Sequence, residues 1–150
     1  MLSLDISIRG VKELIGPIDH VAVTVADMER SVRFYRDVMG FKVLGRVQPR
    51  EGFTIVCIGT GNDAFLELFH FASGSKPLEF ENSDVGLKHI AFKVDDVEGI
   101  AAKLHEHNVE FTVEPTSAKG GIRVAFFKDP DGNLLEIIHG SFNNLQPYNP

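Results

Sequence analysis

Two imidazoles and two carboxylates recur in this chain at matched intervals. His20 and His89 stand 69 residues apart, as do Glu67 and Glu136, and each glutamate follows its histidine by 47. Imidazole nitrogen and carboxylate oxygen are donors that hold divalent ions. The spacing assigns one donor of each type to either half, so the chemistry expected is that of a divalent metal shared by two related units. His20, Glu67, His89 and Glu136 are the candidate metal ligands.

The repeat extends well beyond these four positions. Displaced by 69, the segment IDHVAVTVADME (18–29) lies on LKHIAFKVDDVE (87–98), and FLELFH (65–70) lies on LLEIIH (134–139). A repeat of this length marks a supersecondary unit that cannot bury its apolar face alone and pairs with its copy. A purely architectural duplication would also give this pattern, but buried carboxylates are costly without a compensating cation.

The elements that position the four residues follow the same order in each half: strand, helix, three strands. In the first half, strands are expected at 18–26, 41–47, 53–59 and 64–71, with helical spacing over 28–39 through Met28, Val32, Tyr35 and Met39. Gly40 suits the left-handed stop after that helix. In the second half, strands are expected at 87–94, 110–114, 122–127 and 133–139. Asp95 and Glu98 form a capping-box-like start to a helix ending near Asn108. The DPDG sequence at 129–132 is a turn signal. The fold class is therefore α+β, two tandem βαβββ modules forming a cupped mixed sheet with the helices outside. The divisions are 1–17, an extension whose Leu2–Arg9 reads as an extra strand; 18–72, the first module; 73–86, a linker; 87–140, the second module; and 141–150, a tail.

Side chains alternate faces along a strand. His20 shares a face with Ala22 and Thr24. Glu67 shares one with Phe65, Phe69 and Phe71, and Glu136 with Leu134 and Ile138. No Arg or Lys stands on those strand faces, which leaves a metal as the economical counter-charge. The same parity sends His70 and His139 away from the glutamates into packing roles. His105 and His107 sit near a helix end, where the dipole favours them.

Composition bounds the rest. With 150 residues, 43% hydrophobic and 24% charged, the chain is one ordinary globular domain. A net charge of −6 without a basic run argues against nucleic acid. Cys57 is the only cysteine, which excludes an internal disulfide and a zinc–thiolate site, and its apolar run reads as an inert core thiol. No stretch is long and apolar enough to span a membrane, and no signal-peptide core is visible, so the chain reads as cytoplasmic.

The segments IDHVAVTVADMERSVRFYRDVMGFKV, GLKHIAFKVDD and KGGIRVAFFKDPDGNLLEII, with the Glu67 strand between them, resemble the vicinal oxygen chelate superfamily, which unites glyoxalase I, bleomycin-resistance proteins and extradiol dioxygenases. Metal-dependent glyoxalase I is the nearest pattern, its ligand order His (or Gln), Glu, His, Glu falling on His20, Glu67, His89 and Glu136. The resemblance implies a divalent ion (Ni, Co, Zn or Mn, with Fe ranked below) that leaves two coordination positions for substrate. It implies a lyase or isomerase acting on a hemithioacetal or related 2-oxo compound by proton transfer through an enediolate, with Glu136 as the base and Glu67 as its counterpart. The family's arginine and asparagine for gripping glutathione are replaced by Thr24 and Phe71, which leaves the thiol open. Lys119 and Arg123, in and beside the KGG loop, are candidate substrate-binding cations. Alternatives are an acyl-CoA epimerase of the methylmalonyl-CoA type, a dioxygenase, a thiol transferase and a metal-free drug-binding protein. The expected partners are a small-molecule substrate and a second copy of the chain. Whether the site forms within one chain or between exchanged halves stays open.

Overall fold

Each half begins with a short strand that leads directly into a carboxylate-capped helix. The computed structural model describes residues 15–77, 83–142 and 147–148; the expected Leu2–Arg9 strand lies outside them. Strand β1 (His20–Thr24) leads to Asp27, whose carboxylate accepts from the Arg30 amide at 3.0 Å and so starts helix α1 (Met28–Arg33). The sequence spacing extends one regular helix to Met39. The chain instead opens into a π turn over Phe34–Val38, where the Met39 amide donates to the Phe34 carbonyl. Successive residues of a regular helix point about 100° apart. The wider turn lets Phe34 and Tyr35, 8% and 0% exposed, both face inward. Gly40, at φ +73, then releases the chain as expected.

Strands β2 (Lys42–Arg50), β3 (Phe53–Gly61) and β4 (Ala64–Phe71) complete a sheet in the order β1-β4-β3-β2, with β1 parallel to β4 and the other pairs antiparallel. The second half repeats this with β5 (Ile90–Lys93), helix α2 (Val97–Glu106), β6 (Phe111–Ser117), β7 (Arg123–Lys128) and β8 (Leu134–His139), in the order β5-β8-β7-β6. The cap of α2 is Asp96, not Asp95: its carboxylate accepts from the Gly99 amide at 2.9 Å. A Cβ at position 99 would lie 2.2 Å from Asp96 Oδ2, so glycine is what lets the carboxylate close over the helix end. Glu98, the expected reciprocal partner, is drawn instead to Arg123.

The inner faces of both sheets and the helices share one apolar core. Val25, Ile58, Leu66 and Leu68 of the first half pack with Ala101, Leu104, Phe127, Leu135 and Ile137 of the second. At roughly 25 cal/mol per Å2 of apolar surface, burial of this kind is the main term holding the halves together. Polar bonds fix their register. Asp129, 4% exposed, accepts from the backbone amides of Asp131 and Asn133, from Asn133 Nδ2, and from the Tyr35 hydroxyl at 2.8 Å. Burial, then the Asp129 charge, holds the Tyr35 phenol well above its usual range, so it stays a proton donor. Asp131 accepts from the Ala26 amide, the Arg30 guanidinium and the Ser31 hydroxyl, gripping the start of α1 from the opposite half.

Candidate functional site

The face of each sheet turned away from this core carries one imidazole and one carboxylate. On β4, Leu66 and Leu68 are buried at 2% and 0%, which directs Glu67 and its neighbours Phe65, Phe69 and Phe71 to the outer face. In register, Ala22 lies beside Glu67 on β1, and His20 lies beside Phe65. The His20 ring stacks on Phe65 at 5.1 Å between centroids, which limits its rotation. Its Nε2 lies 3.5 Å from Glu67 Oε2. In the second half, His89 Nε2 lies 3.0 Å from Glu136 Oε2, with the His89 ring edge-on to Phe126 at 5.3 Å.

These distances suit a shared ion. Two cis ligands, each about 2.1 Å from a divalent centre, stand roughly 3 Å apart. Each pair could therefore supply two adjacent corners of one coordination polyhedron. Glu136 is 7% exposed, and His89 is its only ion-pair partner among the described residues. A buried carboxylate with so little positive charge around it favours a cation beside it. The donor set, two nitrogens and two carboxylates without thiolate, suits the harder or borderline divalent ions.

The four expected ligands are thus brought together as two pairs rather than as one quartet. Among the described residues, no group of three or more His, Cys, Asp or Glu side chains converges closely enough to hold an ion. His20 and His89 line a common hollow of 330 Å3 with Phe65, Leu66, Ile90 and Phe92, but neither glutamate lines it.

Two more residues join the first pair: Asp19, which carries no expected role, and Cys57, expected as an inert core thiol. Asp19 accepts from His20 Nδ1 at 2.8 Å, leaving Nε2 free for a ligand role. That hydrogen bond is the chief reason the His20 imidazole is pushed up from its usual value; desolvation opposes it, and the charges of Glu67 and Asp19 add to it. The equivalent position in the second half is Lys88, so this support is not duplicated. Cys57 lies directly across from Glu67 in the β3–β4 register. Its thiol is half-buried on the outer face, not sealed in the core, and desolvation, with the Glu67 charge behind it, pushes its pKa up. Alternation along FTIVCIG carried that information, since Val56 and Ile58 are the inward residues.

Of the expected substrate cations, Arg123 faces the helix side of its sheet. Its guanidinium is bonded to Glu98 and, at 3.0 Å, to Ser117, so it is committed to fastening α2 and does not face the His89–Glu136 pair. Lys119 is exposed in its loop. Two of the remaining histidines have structural partners: His139 Nδ1 bonds the Val94 carbonyl at 3.0 Å, and His105 pairs with Glu114 and stacks on Phe111. Among the described residues, no helix is long and apolar enough to cross a membrane.

The chain is similar to known proteins over most of its length. A Synechocystis protein named "Probable lactoylglutathione lyase" is 32% identical over 127 residues, covering 81% of this chain and 94% of that protein. The mouse mitochondrial methylmalonyl-CoA epimerase is 31% identical over 130 residues, covering 82% and 72%. The solved structure of the trypanothione-dependent glyoxalase I of Leishmania major superimposes with a TM-score of 0.68 at 28% identity, covering 83% of this chain and 87% of that one. Residues 17–137 match the Glyoxalase/Bleomycin resistance protein/Dioxygenase superfamily, and with its paired βαβββ modules the chain belongs to that family.

Proposed function

We propose that the protein is a divalent-metal-dependent lyase or isomerase of the glyoxalase I type, acting on a hemithioacetal or related 2-oxo compound. The observation that carries this reading is the pair of outward-facing His–Glu sets, each spaced as adjacent ligands of one ion and each set among apolar neighbours. His20, Glu67, His89 and Glu136 would hold the ion. When bound, it would supply Lewis-acid polarisation of a substrate carbonyl. Glu136, the more buried carboxylate, takes the proton from the substrate carbon and returns it to the neighbouring carbon; Glu67 is its counterpart from the other half. Asp19 fixes the His20 ring, and the aromatic neighbours exclude water from the exchanging proton. Lys119 stays a candidate for an anionic end of the substrate, while Arg123 is spent on Glu98.

The four ligands assemble, in this reading, between two copies of the chain, the first-half pair of one meeting the second-half pair of the other. Each outer face is uncovered within a single chain: Val47 and Val113, on the first and second faces, are 53% and 40% exposed. A two-fold homodimer would close both faces and create two equivalent sites. The modules are proposed to divide at 18–72 and 87–140.

Two measurements test this. Metal analysis of the purified protein should find about one Ni, Co, Zn or Mn ion per chain. Glu67→Gln and Glu136→Gln should each be folded and inactive in carbon–hydrogen exchange on α-ketoaldehyde hemithioacetals. Mixed after co-refolding, they should recover about a quarter of wild-type turnover, because half the dimers are hybrids with one intact site. No recovery overturns the shared site, and full activity of Glu136→Gln overturns the base. The epimerase reading, favoured by the 31% identity to the mouse enzyme, predicts exchange on methylmalonyl-CoA instead.

A further inference from the structure

The outer face of the first sheet continues past Glu67 as a run of aromatic rings that ends in a cation. Phe69 and Phe71 follow Glu67 by two and four positions on β4, so they share its face about 7 and 14 Å along the strand. Phe53 of β3 lies opposite Phe71 in register. Its ring stacks on Phe71 with centroids 4.6 Å apart and planes 5° from parallel, and meets Phe69 edge-on at 5.1 Å. Arg50 faces Phe53 across the β2–β3 hairpin and holds its guanidinium carbon 5.4 Å from the centre of that ring. The three rings are half-buried and Arg50 is exposed.

This arrangement differs from ordinary core packing. The apolar core of the molecule lies on the other side of the sheet, where Leu66 and Leu68 are buried, and the aromatic run is not part of it. Arg50 also differs from Arg30, Arg36 and Arg123: among the described residues it has no carboxylate partner. A guanidinium attracted to a ring still presents its planar fork of N–H donors to a carboxylate or a similar oxyanion, and that fork is pre-organised for binding one. Phenylalanine faces, in turn, favour offset or edge-on contact with another π-system.

We propose that Phe69, Phe53, Phe71 and Arg50 form the substrate shelf of this site, and that the substrate has a planar aromatic or conjugated body ending in a carboxylate or comparable oxyanion. The body lies along the rings, the anion pairs with Arg50, and the reacting oxygens point back toward Glu67. A span of about 14 Å accommodates a two-ring body. The proposal rests on the metal-centre reading for the identity of the reacting end, but not for the shelf itself.

The shelf can be probed without knowing the natural substrate. 8-Anilinonaphthalene-1-sulfonate is a two-ring body with an oxyanion, N-phenyl-1-naphthylamine is its uncharged counterpart, and the chain has no tryptophan to interfere with their emission. Arg50→Gln should weaken the sulfonate about tenfold and leave the amine unchanged, the loss of one charge-assisted contact. Phe71→Asn should weaken both. Melting curves confirm that each variant is folded. Unchanged sulfonate affinity in both folded variants overturns the proposal. So does loss of dimer in either variant with sulfonate binding unmoved, which would make the shelf a cover for the second copy. Binding that follows Arg50 and Phe71 in a protein that takes up no metal supports the shelf and refutes the metal-centre reading alone. One ion per chain with sulfonate binding indifferent to both substitutions refutes the shelf alone.

Discussion

Replacing Tyr35 by Phe removes one oxygen from the boundary between the halves and leaves the ring in place. The phenol is fully buried and donates to a carboxylate that is 4% exposed, at 2.8 Å. A hydrogen bond to a charged, buried acceptor contributes about 1.5–3 kcal/mol. Asp129 keeps three other donors, two backbone amides and Asn133 Nδ2, so the loss should fall at the lower end, about 1.5–2 kcal/mol. For a domain of this size each kcal/mol moves the midpoint by roughly 2–4 °C, so Tm should drop by about 3–8 °C. Calorimetry gives the midpoint, and urea unfolding gives the free energy with the slope unchanged if the fold is intact. A double-mutant cycle with Asp129→Asn should return a coupling of about 1 kcal/mol, because both changes act on the same charge-assisted bond. A Tyr35→Phe variant within about 0.5 kcal/mol of wild type, or one that adds independently to Asp129→Asn, would refute the claim that this bond fixes how the halves meet.

Other expectations follow from single contacts. Asp19→Ala should lower affinity for the divalent ion about tenfold without changing its stoichiometry, since it removes the group orienting His20; competition with a chelator reads this directly. Arg123→Ala should lower Tm yet leave metal uptake intact, because its partners are Glu98 and Ser117 and not the His89–Glu136 pair. The Arg30 amide, first among several causes, holds the Asp27 carboxyl below its ordinary value, so the folded form binds the proton less readily than the unfolded chain does. That contribution is complete above the unfolded pKa and vanishes as pH falls through the folded one. The Tm difference between wild type and Asp27→Asn should therefore be level from pH 6 to 8 and shrink below about pH 4; a difference that grows on acidification would contradict the assignment.

Much of this was legible because period-2 and period-3.6 patterns are strong in the repeat. The β4 strand runs from Ala64 to Phe71 as its alternation requires, and the face of Glu67 follows from the burial of Leu66 and Leu68. What local pattern could not give was the effect of distant groups. The π turn arises because two adjacent aromatic residues, Phe34 and Tyr35, are both drawn inward, one of them by a carboxylate 94 positions away. The cap of α2 moved from Asp95 to Asp96 because a glycine three residues later leaves room for the carboxylate, and Glu98 was claimed by Arg123. The site shows the same division. Residue types and intervals identified the His–Glu pairs, but whether one copy or two assembles them depends on how whole sheets face each other.

Among the described residues, the grip of Asp131 on Ala26, Arg30 and Ser31 has no counterpart running the other way. Displaced by 69, Asp129 and Asp131 fall on Thr60 and Asn62. Among the described residues that first hairpin closes on itself, with the Thr60 hydroxyl donating to the Ala64 carbonyl. The ancestral symmetry has thus decayed into a lock and a key. A fusion of two first modules would keep apolar surface to bury but lack this polar fastening, and two second modules would carry latches without a catch. Duplication supplied the parts; divergence at two turn positions made each half depend on the other.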